Sequence, residues 1–184
     1  MSTQNAGHGW LDDVSLPVII GVGRLTELKN FDLLIRAFSQ VKEEVPSRLV
    51  ILGEGEDREL LERRVQELQL SDHVLMPGFV DNPFAWIQKS AVFVMSSSSE
   101  GLPGALLEAL ACGTQVVSTD CETGPYEILE GGKWGKLVGV GDRDGLSQAI
   151  IEVLRQGESV DTKLRALDFD KEHSAAHYTE VLNR

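Results

Sequence analysis

Basic residues, cysteines and long apolar runs are all scarce in this chain, and each scarcity removes a class of function. Its 184 residues carry 17 Lys and Arg against 29 Asp and Glu, a formal net charge of −12. That balance excludes a nucleic-acid surface, or an acidic-membrane surface, spread over the whole domain. Any anionic ligand must therefore be held by local basic residues. The two cysteines, Cys112 and Cys121, form no C-x-x-C pair and offer at most one bridge. Cys112, at the end of an apolar helix just before Gly113, reads as a small buried thiol of a reducing compartment. No apolar run approaches the roughly 20 residues that span a bilayer, and no basic n-region precedes an apolar core, so a cytoplasmic location is expected.

Complete cofactor fingerprints are scarce too. Gly21-Val22-Gly23 and Gly53-Glu54-Gly55 begin like a dinucleotide motif, but Leu25 or Thr26, and then Arg58, stand where a third glycine would fall,. Both read as strand-end turns. His173 and His177 are four apart, a metal-ligand spacing, yet no acidic partner of the H-E-x-x-H kind accompanies them, so they read as surface or packing histidines. No metal is expected. The tryptophans, Trp10, Trp86 and Trp134, have no stacking-platform spacing, and no internal repeat is visible.

What is present is an ordinary apolar content of 42% with 18 glycines, enough for one well-filled core and too little for two large domains,. Residues 1–16 read as a loose leader or severed linker. Short apolar runs then alternate with amphipathic ones. Strands are expected at Val18 to Val22, Arg48 to Leu52, His73 to Met76, Ala91 to Met95, Gln115 to Ser118 and Lys136 to Val138. Between them, Phe31, Leu34, Ile35, Phe38 and Val41 have helical spacing, as do Leu60, Leu61, Val65 and Leu68. Pro77 to Pro83 is rich in turn residues and opens a short helix through Trp86 and Ile87, Gly124-Pro125-Tyr126-Glu127 starts another, and Asp142 caps a helix to about Gln156. Residues 161–184 read as a helical segment, with Phe169, Tyr178 and Leu182 available for docking. The alternation predicts an α/β fold, a Rossmann-like parallel sheet of about six strands with helices on both faces. In such sheets ligands bind at the carboxyl ends of the strands, near a topological switch.

The stretch from Ser96 to Gly113 falls on that edge. It reads as a strand exit turning into a helix that begins at Pro103, with the N–H groups of Gly104 and Ala105 bare behind the proline and Gly101 as a flexible approach. Bare donors at the positive end of a helix dipole suit a phosphate. Glu100 borders the turn, and Glu108 shares a helix face with residue 104 and reaches back over it. Carboxylates beside a phosphate accept hydrogen bonds from hydroxyls, so a nucleoside diphosphate sugar, with hydroxyls on both sides of its phosphates, fits. Glu100 and Glu108 singly would pass for helix-terminus acids; a glycosidase acid/base pair has less use beside an anion site. Arg24 and Lys29 follow the first strand on the same rim. Either alone would pass for a solvated surface charge, but opposite this turn they are placed to neutralise a diphosphate. The serines 96 to 99 read as a polar loop.

Together these residues resemble a known family. Gly23-Arg24-Leu25 with Lys29-Asn30, Gly78-Phe79-Val80, Glu100 and Glu108 as Glu-x7-Glu, Ala111-Cys112-Gly113-Thr114, and Gly124 through Leu129 look like the C-terminal half of a family 4 (group 1) retaining glycosyltransferase of the GT-B fold. The resemblance covers about Pro17 to Gln156, and Asn30 departs from it where glycine is common. It implies a domain at about 17–160 that binds a UDP- or GDP-sugar without a metal or other cofactor. Arg24 and Lys29 would hold the diphosphate as leaving group, and the backbone of Gly101, Leu102, Pro103, Gly104 and Ala105 would meet phosphate and sugar oxygens, with Leu107 a further contact. Glu100 would take sugar hydroxyls near the reacting carbon, Glu108 the ribose hydroxyls, and the backbone around Val80 the base edge.

The implied activity is hexosyl transfer from the nucleotide sugar to a glycan or lipid-linked acceptor in cell-surface polysaccharide assembly. Nothing before Pro17 could form the acceptor-binding N-terminal domain of such enzymes, so the chain alone is expected to be inactive for transfer. Contact with the inner face of the membrane would come only through that missing half. Two other readings are a half-domain of a sugar-nucleotide epimerase or phosphorylase, and a non-catalytic nucleotide-sugar-binding or partner-binding module.

Overall fold

Five apolar residues in succession, Val18–Val22, form the central strand β1, buried on both faces as a parallel strand between covering helices must be,. The computed structural model describes residues 9–157 and 160–169. After β1 comes a short 3-10 turn at Glu27–Lys29 and then helix α1, Phe31–Glu44. Asn30 joins the two in the left-handed region, at φ 48° and ψ 47°, and its side chain accepts from the Leu33 N–H as an N-cap. Asparagine is one of the few residues besides glycine that tolerates that conformation, and here it also caps. This accounts for its standing where glycine is common.

The chain continues through β2 (Arg48–Leu52), α2 (Arg58–Glu67), β3 (Val74–Gly78), α3 (Pro83–Gln88), β4 (Val92–Met95) and α4 (Gly104–Cys112). It ends with β5 (Gln115–Thr119), α5 (Pro125–Ile128), β6 (Lys136–Val138), α6 (Arg143–Gln156) and α7 (Thr162–Leu167). All strand pairs are parallel, in the order β3-β2-β1-β4-β5-β6. The period-2 alternation of strands sorts the core into two layers. Ile19, Ile51 and Val94 join Leu34, Phe38 and Ile150 on one face, while Ile20, Val50 and Phe93 join Leu106, Leu110 and Ile87 on the other. This is a Rossmann-like sheet of six strands covered on both sides, as the sequence predicts.

Several local expectations are revised. β3 runs on through Pro77 and Gly78, which the turn-rich composition assigned to a loop; it is an edge strand of the sheet, where proline is tolerated,. Leu60 does not join the buried face of α2 and is exposed. Helix α4 begins at Gly104, because Pro103 has ψ 75° and stands outside the helix as its N-cap. The end of the expected leader is docked: Leu11 is buried in the second core layer, Arg48 stacks on Trp10 and pairs with Asp13, and Lys89 pairs with Asp12. His173, His177, Tyr178 and Leu182 lie outside the described residues. Among the described residues no helix is long and apolar enough to cross a membrane.

The chain winds outwards from β1 through β2 to β3 and then returns to place β4 on the other side of β1. The loops leaving β1 and β4 therefore diverge at the switch point. Close approach of the β1 and β2 exits needs glycine: Gly53 has φ +139°, and a Cβ there would stand 1.9 Å from the Gly23 carbonyl oxygen,.

Candidate functional site

Two neighbouring hollows at the carboxyl edge of the sheet share Val22, the last residue of β1. The first is an apolar cleft of about 360 Å³ walled by Val22, Leu52, Phe79, Val80 and Pro83, with Arg24 at its rim. Phe79 is 76% exposed there, an unusual state for a phenylalanine without a partner surface,. The Arg24 side chain is 75% exposed and, among the described residues, makes a single 3.5 Å ion-pair contact, with Glu56.

The second hollow is narrower and lies between the exits of β1 and β4. Lys29 and Glu100, 71 residues apart, meet here: Lys29 Nζ is 2.5 Å from Glu100 Oε1. Their side chains are 28% and 7% exposed, so the pair is screened far less than a surface one,. It leaves only about 10 Å³ of free volume between Val22, Pro103 and Ala105. The rim cation and the rim carboxylate that the sequence pointed to thus form one closed unit.

The serine run holds the two loops together. Ser96 and Ser97 are buried, although their sequence reads as a polar loop. Ser96 Oγ donates to the Lys29 carbonyl at 2.9 Å, and the Ser98 N–H donates to the Leu28 carbonyl at 2.8 Å, tying β4's exit to the 3-10 turn. Ser97 Oγ donates to Glu100 Oε1 at 2.6 Å. From β5, Thr119 Oγ1 donates to the Ser97 carbonyl at 2.6 Å, and Thr123 Oγ1 donates to the Glu100 carbonyl. Gly124 packs against Pro103 so closely that a Cβ would stand 2.5 Å from its ring. Apart from the local Ser97–Glu100 bond, no local pattern announces these contacts, since each joins residues that only the sheet order brings together.

At the start of α4 the expected pair of bare donors is reduced to one. The Gly104 N–H is taken by the Leu102 carbonyl at 2.8 Å, a consequence of the non-helical turn at Pro103. Ala105 N–H makes no bond among the described residues and keeps the character of an orphan donor,. Gly101 and Leu102 are exposed beside it. Leu107 packs on the second core layer and its N–H reaches the Pro103 carbonyl, so it offers the hollow no free polar group. Glu108, one turn into α4, is half-buried and takes no hydrogen bond or ion pair among the described residues.

Burial, and then the neighbouring Glu108 charge, push the Cys112 thiol up; burial, and then Glu100, push Cys121 up,. Among the described residues no cluster of three His, Cys, Asp or Glu has a metal-holding arrangement.

Comparison with known proteins places this geometry. The family model for glycosyl transferases group 1 matches residues 10–166. The chain is 37% identical over 175 residues to the N-acetylgalactosamine-N,N'-diacetylbacillosaminyl-diphospho-undecaprenol 4-alpha-N-acetylgalactosaminyltransferase of Campylobacter jejuni, covering 91% of this chain and 47% of that protein. The lipopolysaccharide outer core galactosyltransferase WaaB, in its apo form, superposes with a TM-score of 0.82 at 23% identity over 93% of this chain and 50% of its own. HepE of Anabaena, in complex with UDP and glucose, gives a TM-score of 0.79 at 21% identity, over 91% and 48%. The chain therefore spans about half the length of these proteins.

Proposed function

The chain belongs to the group 1 glycosyl transferases, and from that premise we propose that it is the donor-binding domain of an enzyme that moves a hexosyl group from a nucleoside diphosphate sugar to a glycan or lipid-linked acceptor. The observation that carries the proposal is the Lys29–Glu100 pair at the topological switch. A cation and a carboxylate locked together there supply one group for a phosphate and one for sugar hydroxyls, adjacent to an apolar cleft of the size and character that a planar base fills. The Campylobacter relative's N-acetylgalactosaminyl transfer to an undecaprenol-linked acceptor and the UDP and glucose held by HepE support a UDP-hexose as donor.

In this reading the base enters the apolar cleft, stacking on Phe79 with its edge towards the Val80 backbone. The diphosphate lies past Val22 between Arg24, Lys29 and the Ala105 N–H. Glu108 takes the ribose hydroxyls and Glu100 the sugar hydroxyls. Lys29 leaves Glu100 for a phosphate oxygen, which releases the carboxylate to accept from the sugar hydroxyls. The bond from the anomeric carbon to the β-phosphate oxygen breaks, the acceptor hydroxyl oxygen bonds to the same face of that carbon, and its proton passes to the departing phosphate. Lys29, Arg24 and the helix start stabilise the charge on that leaving group. The acceptor is presented by the part of the relatives' length that this chain does not span.

Calorimetric titration with UDP, GDP and ADP, their monophosphates and their hexose conjugates tests the reading. Preference for one diphosphate over its monophosphate by ten-fold or more is expected; equal affinity for mono- and diphosphates would sink it.

A further inference from the structure

Glu100 is held by one oxygen. Lys29 Nζ and Ser97 Oγ both donate to Oε1, while Oε2 takes no bond among the described residues and is not among their buried unpartnered atoms. The carboxylate is thus turned so that Oε2 is left for a ligand. When Lys29 moves to a phosphate, one donor on Oε1 goes with it, and Ser97 remains. Ser97 itself cannot shift freely: it is buried, and its carbonyl accepts from Thr119 Oγ1 on β5. Thr119 Oγ1 also lies 3.3 Å from the Met95 carbonyl, so a single β5 hydroxyl bridges the last residue of β4 and its exit loop.

Building on the reading that Glu100 receives donor-sugar hydroxyls, we propose that Ser97 is a positioning residue for sugar recognition. It keeps Oε1 fixed after Lys29 has left and so presents Oε2 to the sugar, with Thr119 fixing Ser97 in turn. Ser97 does not line the apolar cleft assigned to the base, so its loss is read in the sugar rather than in the nucleotide. A freely rotating carboxylate would lose rotamer freedom on binding each hydroxyl, and the tether removes that cost beforehand.

The test compares the tightest-binding nucleoside diphosphate hexose of a UDP, GDP and ADP panel with its own unglycosylated diphosphate, by calorimetry on the full chain. Ser97→Ala is expected to weaken the sugar conjugate about five- to ten-fold, the upper part of the net range of one ordinary hydrogen bond, and to leave the bare diphosphate within about two-fold. Retained diphosphate binding also reports that the variant folds. Ser97→Thr, which restores a hydroxyl, recovers most of the loss, and Thr119→Val, which loosens the seat of Ser97 without touching Glu100, gives the same selective loss at about three-fold. If Ser97→Ala binds both ligands like the wild type, or loses both equally, the positioning role is overturned while the donor-site reading stands. If the wild-type chain itself gains nothing from the hexose, the assignment of Glu100 fails first and the role of Ser97 with it.

Discussion

The two hollows that share Val22 are built on opposite plans. The cleft beside Phe79 is open, apolar and walled by side chains of three strand exits, with its one cation, Arg24, extended into solvent. The hollow beside Glu100 is shut and filled by an ion pair, and buried hydroxyls from the β4 exit and from β5 fix its walls. An open apolar slot accepts a flat ligand part with little rearrangement. A closed ion pair must exchange partners before anything binds, so its affinity is a difference between two sets of charge-assisted bonds. On the proposed reading, capture and discrimination are divided between neighbouring sites on one sheet edge.

That division can be broken from either side. Lys29→Ala should have the largest effect, weakening nucleoside diphosphate binding ten-fold or more in a calorimetric titration, since it removes the only partly buried cation described at the hollow and strands Glu100,. Phe79→Ala should cost about five-fold, within the stacking range for a base on an aromatic ring, and cost it equally for mono- and diphosphates, because the loss belongs to the open cleft. Arg24→Ala should cost about three-fold at low ionic strength and almost nothing in 0.5 M salt, as expected of an exposed side chain held by one loose contact,. Should Lys29 and Arg24 substitutions instead weaken binding alike and with the same salt dependence, the contrast between a closed and an open site would disappear.

Much of this was legible in the sequence. The apolar runs of β1, β2 and β4 and the 3.6-residue spacing of α1 are set by local burial, and the sheet reproduces them. Of the four charged residues picked out at the strand exits and the proline-led helix, the structure brings Lys29 and Glu100 into contact, while Arg24 reaches Glu56 at the rim. What escaped was whatever depends on contact across the sheet order. The bond between Lys29 and Glu100 joins positions 71 apart, and the burial of Ser96 and Ser97 follows from the packing of β5 and the 3-10 turn over a run that looks like an ordinary polar loop. The bare Gly104 donor was lost to a turn that depends on one ψ angle at Pro103. Phe79 was visible only as part of a turn, and its exposure into a cleft required the neighbouring exits of β1 and β2.

The partner exchange at Lys29 is most directly tested with Glu100→Gln. Removing the carboxylate's charge frees Lys29 and takes a negative group away from the phosphates, so the bare nucleoside diphosphate should bind about three-fold tighter than to the wild type, while the added affinity from the hexose is lost. Weaker diphosphate binding by the Glu100→Gln chain would contradict the exchange, because it would mean that the ion pair assists the phosphate rather than competing with it.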